Sequence, residues 1–426
     1  MKDKIIVGYD LGDNFSQISY CTYDGAAPET LAVIAGTESY NIPTVLCKRQ
    51  GVNQWFYGKE AIKHAETEGG VLLTNLVELA RQGEKVILED IEFDPVALLT
   101  LFVKRSLALI SMVSGLEKIG ALMITCENLD PVMVEILNAV VAGLSLKTKN
   151  ICYQSHVESV YYYTLHQPAE LWQRQVLICD YNGNSIKVYR MECNRRTTPI
   201  VAFVEESVFP FRDYRELAEA EVMQENIANR MDTEFLAILQ DLNEGRIVSS
   251  AYLLGDGFKE EWMKESLQYL CRGKRVFQGN NLYSKGACLG MREKISPSEI
   301  GKEYVFLGKE KLKANVGMRV MRRGEASYCA LLDAGTSWYE AKHTLEFLLE
   351  TDNTFTLVIT PLNGREIKYA QVTLEGLPFR PNAASRLRME LDMPTETCIR
   401  LTVEDLGFGE IFPASNQKWT ESFEVA

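Results

Sequence analysis

The chain begins its first apolar run with IIVGYDLGDNFSQISY, residues 5–20, and repeats the pattern as VLICDYNGNSIKVY at residues 176–189. Each copy predicts a β-strand, a tight turn that carries aspartate and glycine, and a second strand. Glycine allows positive φ and a close approach of the backbone to a ligand. Backbone N–H groups of such turns can cradle phosphate oxygens, and Asp10 and Asp180 can order a hydrated Mg²⁺. Two such hairpins that face each other would hold one nucleotide from both sides.

A third turn has the same character. The segment SAYLLGDGFK, residues 250–259, is an apolar run that ends in Gly-Asp-Gly at 255–257. These glycines would let a nucleoside lie against the backbone near the start of a helix, which the pattern predicts from 260 to about 270. A further helix, predicted over 281–290, carries small residues on one face, and these allow close packing against a sheet.

The first part of the chain predicts an α/β domain. Residues 1–295 alternate apolar strands with helical patterns, and Asp94 and Asp130 are each followed by a proline, a typical helix start. This alternation predicts a largely parallel central sheet, and the two copies of the hairpin divide the domain into two lobes, about 1–170 and 171–295.

The pattern of apolar and polar residues changes after residues 296–297. Short runs that alternate apolar and polar residues follow one another, with turns predicted at 352–353 and 361–364. This pattern predicts a separate antiparallel β-sandwich over residues 300–426.

The order of the three turns resembles the actin-like ATPase superfamily and, within it, the DnaK-like heat-shock chaperone family. The first two turns look like that family's two phosphate loops, and the third looks like its adenosine loop. The resemblance implies a two-lobed, ribonuclease H-like nucleotide-binding domain, with ATP or ADP as ligand and Mg²⁺ as metal. It implies Asp10, Asp180 and Arg81 as catalytic residues, both aspartates as metal-binding residues, and Gly12, Asp13, Asn14, Gly183, Asn184, Gly255, Asp256, Gly257 and Lys259 as nucleotide-binding residues.

The resemblance extends along both parts of the chain. The segments NIPTV (41–45) and AGL (142–144) stand where the family has Ile-Pro-Ser and Ala-Gly-Leu. LPFRP (377–381) stands where it has Ile-Pro-Pro-Ala-Pro, and IRLTVED (399–405) resembles its Leu-x-Val-x-Ala-x-Asp. The sandwich therefore resembles the chaperone's substrate-binding domain, which implies a protein or peptide client.

The phosphate loops depart from the family pattern. Asp13 replaces a threonine, and a carboxylate there repels a triphosphate unless a metal intervenes. The Gly-Gly-Gly-Thr of the second loop is replaced by Asn-Gly-Asn-Ser at 182–185, which places side chains where backbone alone approaches the phosphate. Leu79 stands where the family has its catalytic lysine, and the nearby Arg81 is the candidate substitute, although guanidinium and ammonium are not interchangeable.

Two larger elements of the family also differ. Between Asp180 and Gly255 the family has a whole subdomain, but this sequence predicts only a hairpin and one acidic helix, about 214–242. The helical lid that follows the family's sandwich has no counterpart, so a peptide bound there is expected to leave fast.

The composition and net charge of the chain disfavour several kinds of partner and site. The chain has 426 residues and a net charge of −13, which disfavours nucleic acids and anionic membrane surfaces as partners. We find no apolar run of membrane-spanning length. Cysteines are scattered without Cys-x-x-Cys pairs, as is typical of free thiols in the cytoplasm. The four histidines show no metal-binding spacing, and His156 and His166 are predicted to be surface or packing residues.

Two functions remain open from the sequence. The first is an ATP-binding, DnaK-like chaperone-type protein that is at most a slow ATPase and whose sandwich contacts proteins. The second is a non-catalytic scaffold or partner-binding module that has lost nucleotide binding. The missing lysine and the shortened subdomain favour the second function.

Overall fold

The computed structural model describes residues 4–34, 36–213, 221–259, 261–279, 281–350, 353–362, 366–381 and 385–425. The chain divides into two compact units, Met1–Val305 and Phe306–Ala426. This boundary lies a few residues after the change of sequence pattern. Parts of four predicted elements lie outside the described residues: positions 214–220 of the acidic helix, Glu260 of the next helix, position 352 of one turn and positions 363–364 of the other.

The first part of unit one contains eleven strands and five α-helices among the described residues. They are β1 (Ile5–Leu11), β2 (Phe15–Thr22), β3 (Glu29–Thr30), β4 (Ile42–Pro43), β5 (Leu46–Lys48), β6 (Trp55–Tyr57), α1 (Gly58–Glu68), β7 (Val71–Leu73), α2 (Leu76–Gln82), β8 (Val86–Leu88), β9 (Ile91–Phe93), α3 (Pro95–Leu107), β10 (Ile119–Cys126), α4 (Pro131–Leu144), β11 (Ile151–Ser155) and α5 (His156–Leu165).

The rest of unit one adds a second set of elements. They are β12 (Gln175–Tyr181), β13 (Ser185–Asn194), β14 (Ile200–Pro210), α6 (Glu221–Asn243), β15 (Val248–Leu254), α7 (Glu265–Leu270), β16 (Arg275–Gln278), α8 (Leu282–Ile295), α9 (Glu299–Glu303) and, at the unit boundary, β17 (Tyr304–Phe306).

Two separate sheets of unit one share one strand order. The first sheet runs β11-β10-β1-β2-β3 with β4 on β2, and the second runs β16-β15-β12-β13-β14-β17. In the first sheet β1, β2 and β3 pair antiparallel, and β10 and β11 continue parallel on the other side of β1. In the second sheet β12, β13 and β14 pair antiparallel, and β15 and β16 continue parallel on the other side of β12. The sheets are therefore mixed rather than largely parallel, because the tight turns at 12–14 and 182–184 can join only antiparallel strands.

Side-chain caps set the starts of several helices. Asp94 accepts hydrogen bonds from the N–H groups of Val96 and Ala97, and Asp130 accepts one from Met133. The helix predicted from 260 begins only at Glu265, in α7. The reason is that the buried Asp232 of α6 accepts the N–H groups of Glu265 (2.7 Å) and Ser266 (3.0 Å) and fixes the first turn there.

Helix α3 continues as a 3-10 turn to Met112. Residues 95–112 are long and apolar enough to cross a membrane by length and composition, contrary to the expectation from the sequence. Core helices pass the same test, and here Leu99, Phe102 and Val103 are buried within unit one. The apolar face of this helix belongs to the core.

Helix α8 comes from the second part of unit one but packs against strands of the first sheet. Small residues make this approach possible. A Cβ at Gly8 of β1 would lie 2.2 Å from the carbonyl oxygen of Ser284, and one at Gly286 would lie 2.1 Å from the carbonyl oxygen of Ser159 in α5. The hydroxyls of Ser19 and Ser284 also form a 2.7 Å hydrogen bond.

Unit two consists of two four-stranded antiparallel sheets. Their orders are β19-β18-β21-β22 and β20-β23-β24-β25. Burial alternates along β23 and β24, so each buries one face. The strands are β18 (Ala314–Arg322), β19 (Glu325–Leu332), β20 (Lys342–Leu349), β21 (Thr354–Pro361), β22 (Lys368–Thr373), β23 (Ser385–Asp392), β24 (Cys398–Asp405) and β25 (Lys418–Glu424).

A buried ion pair holds the loops at one end of unit two. Arg380 donates two hydrogen bonds of 2.7 Å to the carboxylate of Asp405, and both residues are at most 5% exposed. Arg380 also donates to the carbonyl of Pro413, and Asp405 accepts the N–H of Ser415. Burial alone would raise the pKa of Asp405, but these hydrogen bonds outweigh it and lower that pKa far below its usual range.

We expect Gly8→Ala to lower the free energy of unfolding by about 1–3 kcal/mol, because the added methyl would force α8 away from β1. Urea unfolding of the full chain measures the change. Gly279→Ala is the matched control, since a Cβ there meets nothing within 4 Å. It should stay within about 0.5 kcal/mol of the wild type. Equal stability of the two variants would contradict the close-packing explanation.

Candidate functional site

A cavity of about 590 Å³ lies where the central strands of the two sheets end. Three turns that the sequence singled out converge on it. Of the predicted site residues, Asp10, Gly12, Asn14, Asp180, Gly183, Asn184, Gly255, Asp256 and Gly257 line the cavity. Further lining residues, outside the predicted set of site residues, include Gln17, Asn41, His156, Asn182, Arg212, Asp213 and Tyr283.

Strand pairing brings the second and third turns together. Asp180 of β12 lies opposite Leu254 of β15 in a parallel pair, so both strands end at the same edge. Gly255 follows directly with φ of 92°, and a Cβ there would lie 2.1 Å from the carbonyl oxygen of Tyr181. A Cβ at Gly257 would overlap the Tyr181 ring. Both positions therefore require glycine for the turn to lie against β12.

Neighbouring segments fix the first two turns in equivalent ways. In the first, Thr44 donates from its hydroxyl to the carbonyl of Gly12 (2.8 Å) and from its N–H to the carbonyl of Asn14 (2.9 Å). In the second, the N–H groups of residues 211 and 213 donate to the carbonyls of residues 184 and 183, at 3.0 and 2.9 Å. Each turn is thus held by hydrogen bonds from the chain that follows a strand of its own sheet.

Asp10 is paired with a histidine. Its Oδ1 lies 2.7 Å from Nε2 of His156, the first residue of α5, and Asp10 is only 7% exposed. The imidazole stacks on the ring of Tyr283, with centroids 4.0 Å apart and planes 10° apart. His156 was predicted to be a surface or packing residue. Its ring does pack on Tyr283, but the side chain also lines the cavity and contacts a site aspartate, which that prediction did not include.

Asp180 is paired with a tyrosine. The hydroxyl of Tyr283 donates to its Oδ2 at 2.7 Å. Burial raises the pKa of Asp180, and the charge of Asp10 raises it further. The hydrogen bond from Tyr283 and the nearby His156 lower it, but the pKa remains above its usual value. His156 and Tyr283 thus form a stacked pair that connects the two aspartates across the cavity.

Three predicted site residues do not line the cavity. The guanidinium of Arg81 forms two hydrogen bonds with the carboxylate of Asp130, the cap of α4. The ammonium nitrogen of Lys259 lies 2.7 Å from Oδ1 of Asp256, and both side chains are exposed. Asp13 is exposed at the tip of the first turn, and its pKa is raised by partial burial and by Glu127.

A family model described as a family of unknown function, DUF5716, C-terminal region, matches residues 27–309, more than half of the chain. The chain belongs to this family. Residues 311–425 are similar to a domain of unknown function, DUF8552. No curated protein matches the chain. The DUF5716 match includes the second and third turns, His156 and Tyr283, and it begins after the first turn.

The cavity is acidic. Asp10, Asp180, Asp213 and Asp256 line it, whereas Arg212 is the single arginine or lysine among the described lining residues. A polyphosphate alone would be repelled by these carboxylates, so an anionic ligand is favoured only together with a cation. Within the described part of the chain, no three His, Cys, Asp or Glu side chains group closely enough to hold a metal ion by themselves.

Sequence signals for His156 and Tyr283 exist but are indirect. Ser155 ends β11 and His156 follows it directly as the first residue of α5. Because β11 runs parallel to β10 and β10 runs parallel to β1, His156 reaches the same edge as Asp10. Tyr283 lies in the first turn of α8, the helix whose small residues were noted. Only the packing of α8 on the first sheet, which the sequence does not specify, places its ring between the two aspartates.

We expect Tyr283→Phe to raise the pKa of Asp180 further, because it removes the hydrogen bond that favours the charged carboxylate. An NMR titration of the aspartate carboxyl carbons, assigned with Asp180→Asn, measures this shift. Tyr328→Phe, a half-exposed residue of unit two, is the control and should leave the titration unchanged. An unchanged or lower pKa in Tyr283→Phe would contradict the assignment.

Proposed function

We propose that unit one binds ATP or ADP together with Mg²⁺ in this cavity and hydrolyses ATP slowly or not at all. The observation that carries the proposal is the convergence of three aspartate- and glycine-bearing turns, from two sheets, on one cavity of about 590 Å³. Small-molecule sites usually have volumes of about 300–1,000 Å³, so the space suits a nucleotide.

The duplicated strand order supports an actin-like assignment. Two sheets with the same order and equivalent turns suit a two-lobed, ribonuclease H-like domain that holds a ligand between its lobes. The resemblance to DnaK-like chaperones points in the same direction, with the two sheets of unit two as a β-sandwich for protein or peptide contacts. The net charge of −13 disfavours nucleic acids and anionic membranes as partners, and the free cysteines suit a cytoplasmic protein.

The aspartate pair fits a hydrated Mg²⁺. Asp10 and Asp180 each use one oxygen in the hydrogen bond to His156 or Tyr283. The other oxygen of each would accept hydrogen bonds from metal-bound water, and phosphates would complete the shell, as is usual for Mg²⁺. When bound, the ion neutralises the negative charge that four cavity carboxylates and a polyphosphate would otherwise bring together.

The described lining of the cavity offers little positive charge to stabilise phosphoryl transfer. The transferring group carries negative charge and is stabilised by fixed positive groups beside it. Leu79 stands at the position of the family's lysine, and Arg81 is engaged by Asp130 outside the cavity lining. Arg212 lines the cavity, but Asp213 follows it directly. This arrangement favours binding over turnover.

A non-catalytic scaffold is the second candidate. The charged residues of the expected site already have partners within the protein: Asp10 contacts His156, Asp180 accepts from Tyr283, and Arg81 pairs with Asp130. The fold therefore does not require a ligand there. In this case unit two would still contact partners, while the cavity would be a remnant.

Thermal melting of the full chain with and without Mg-ATP separates the two candidates. We expect Mg-ATP to raise the melting temperature, since a ligand at 100 times its Kd stabilises the native state by about 2.7 kcal/mol. Asp10→Ala and Asp180→Ala should abolish this shift, whereas Asp241→Ala, on the exposed face of α6, should retain it. An equal shift in all four proteins would place the nucleotide elsewhere, and no shift in the wild type would favour the scaffold.

ATP turnover should be absent, or roughly a hundredfold to a thousandfold below that of a DnaK-like ATPase, because one preorganised positive donor is missing. Phosphate release under single-turnover conditions measures the rate. Arg81→Ala should leave it unchanged, since Arg81 binds Asp130. Turnover at the level of a DnaK-like ATPase that Arg81→Ala abolishes would refute this proposal and place Arg81 in the site.

A further inference from the structure

We propose that Asn182 is a specificity-determining residue whose carboxamide occupies the phosphate-binding donors of the second turn, so that a phosphate must displace it. This inference rests on the proposed function and concerns the same cavity. It predicts that the free protein holds its second turn closed to phosphate by means of its own side chain.

The contacts of Asn182 carry the argument. Its Oδ1 accepts hydrogen bonds from the backbone N–H groups of Asn184 and Ser185, both at 3.0 Å, and lies 3.5 Å from the Ser185 hydroxyl. Successive N–H groups of a tight turn are the donors that bind phosphate oxygens. The amide oxygen thus takes the place that an anion oxygen would have.

The backbone of the turn needs no rearrangement to bind an anion. The N–H of Asn182 donates to the carbonyl of Ser185 at 3.3 Å, and the carbonyls of Gly183 and Asn184 accept from the N–H groups of Asp213 and Phe211. These bonds do not involve the Asn182 side chain. Rotation of that side chain alone would release both N–H groups.

The space around the turn is open. Gly183 has φ of 92°, and a Cβ there would meet nothing within 4 Å. Asn182, Gly183 and Asn184 all line the cavity. A phosphate can therefore reach the turn, and the obstacle is the occupied donors rather than steric exclusion.

Because the Asn182 side chain and a phosphate compete for the same two N–H groups, each substitution at position 182 should change the affinity for phosphate in a defined direction. Glycine or alanine at position 182 removes the acceptor and leaves the two N–H groups for the ligand. Asn182 is not among the residues with positive φ, so neither substitution is strained. Aspartate keeps an acceptor of the same shape and adds a negative charge, which holds the N–H groups more firmly and repels phosphate.

Calorimetric titration of the full chain tests this with three probes: Mg-ADP, Mg-pyrophosphate and adenosine. We expect Asn182→Gly and Asn182→Ala to tighten binding of both phosphate probes roughly tenfold, which corresponds to about 1.4 kcal/mol. Adenosine, which has no phosphate, should bind all variants equally. Asn182→Asp should weaken both phosphate probes. Hydrogen exchange at residues 184 and 185 should become faster in the unliganded glycine variant.

The outcomes separate this inference from the proposed function. If wild type and Asn182→Gly bind Mg-ADP equally and Asp180→Ala abolishes binding, nucleotide binding stands and the role of Asn182 is refuted. If none of the proteins binds a phosphate probe, both are refuted. An equal gain for adenosine would show a general loosening of the cavity and would also overturn the role of Asn182. Thermal melting of each unliganded variant verifies that it is folded.

Discussion

The contact between β1 and α8 is the constraint on which the site depends. At Gly8 the strand and the helix approach so closely that the backbone of Ser284 occupies the space of a side chain. This contact places a helix from the second part of unit one on the sheet of the first. Without it, the cavity would have the three turns but not the side chain that connects the two aspartates.

The hydrogen bonds around that side chain explain how two carboxylates are tolerated close together. Tyr283 donates to Asp180, its ring stacks on His156, and His156 contacts Asp10. Each aspartate has a hydrogen-bonding partner, and the bond from Tyr283 lowers the pKa of Asp180, which offsets part of the effect of its burial. The four carboxylates that line the cavity make it poorly suited to a bare polyanion.

The sequence predicted the local features of the site well. The hairpins around Asp10 and Asp180 and the glycine turn after β15 are short-range patterns, in which residue type and turn geometry are directly coupled. Nine of the predicted site residues consequently line one cavity. The described strands of unit two pair in an antiparallel manner, as the alternation of apolar and polar residues predicted.

The parts that the sequence missed depend on long-range packing. Arg81 was chosen for its place in a family-like segment, but the capping residue of α4 engages it, and no local pattern specifies that partner. His156 and Tyr283 come from helices far apart in the chain. The mixed pairing of the sheets follows from the tight turns, which outweigh the strand-helix alternation that suggested a largely parallel sheet.

The docking of α8 also has a consequence for the order of events during protein synthesis. Ser19 and Ser284 are 265 positions apart, yet they share a hydrogen bond at the face of the first sheet. The strands of the first sheet are therefore synthesised long before the helix that packs on one of their faces. At about 5–20 residues per second, these 265 positions take on the order of 13–53 seconds to synthesise, and apolar residues of the first sheet such as Ile6 and Met123 lack the cover of α8 during that time.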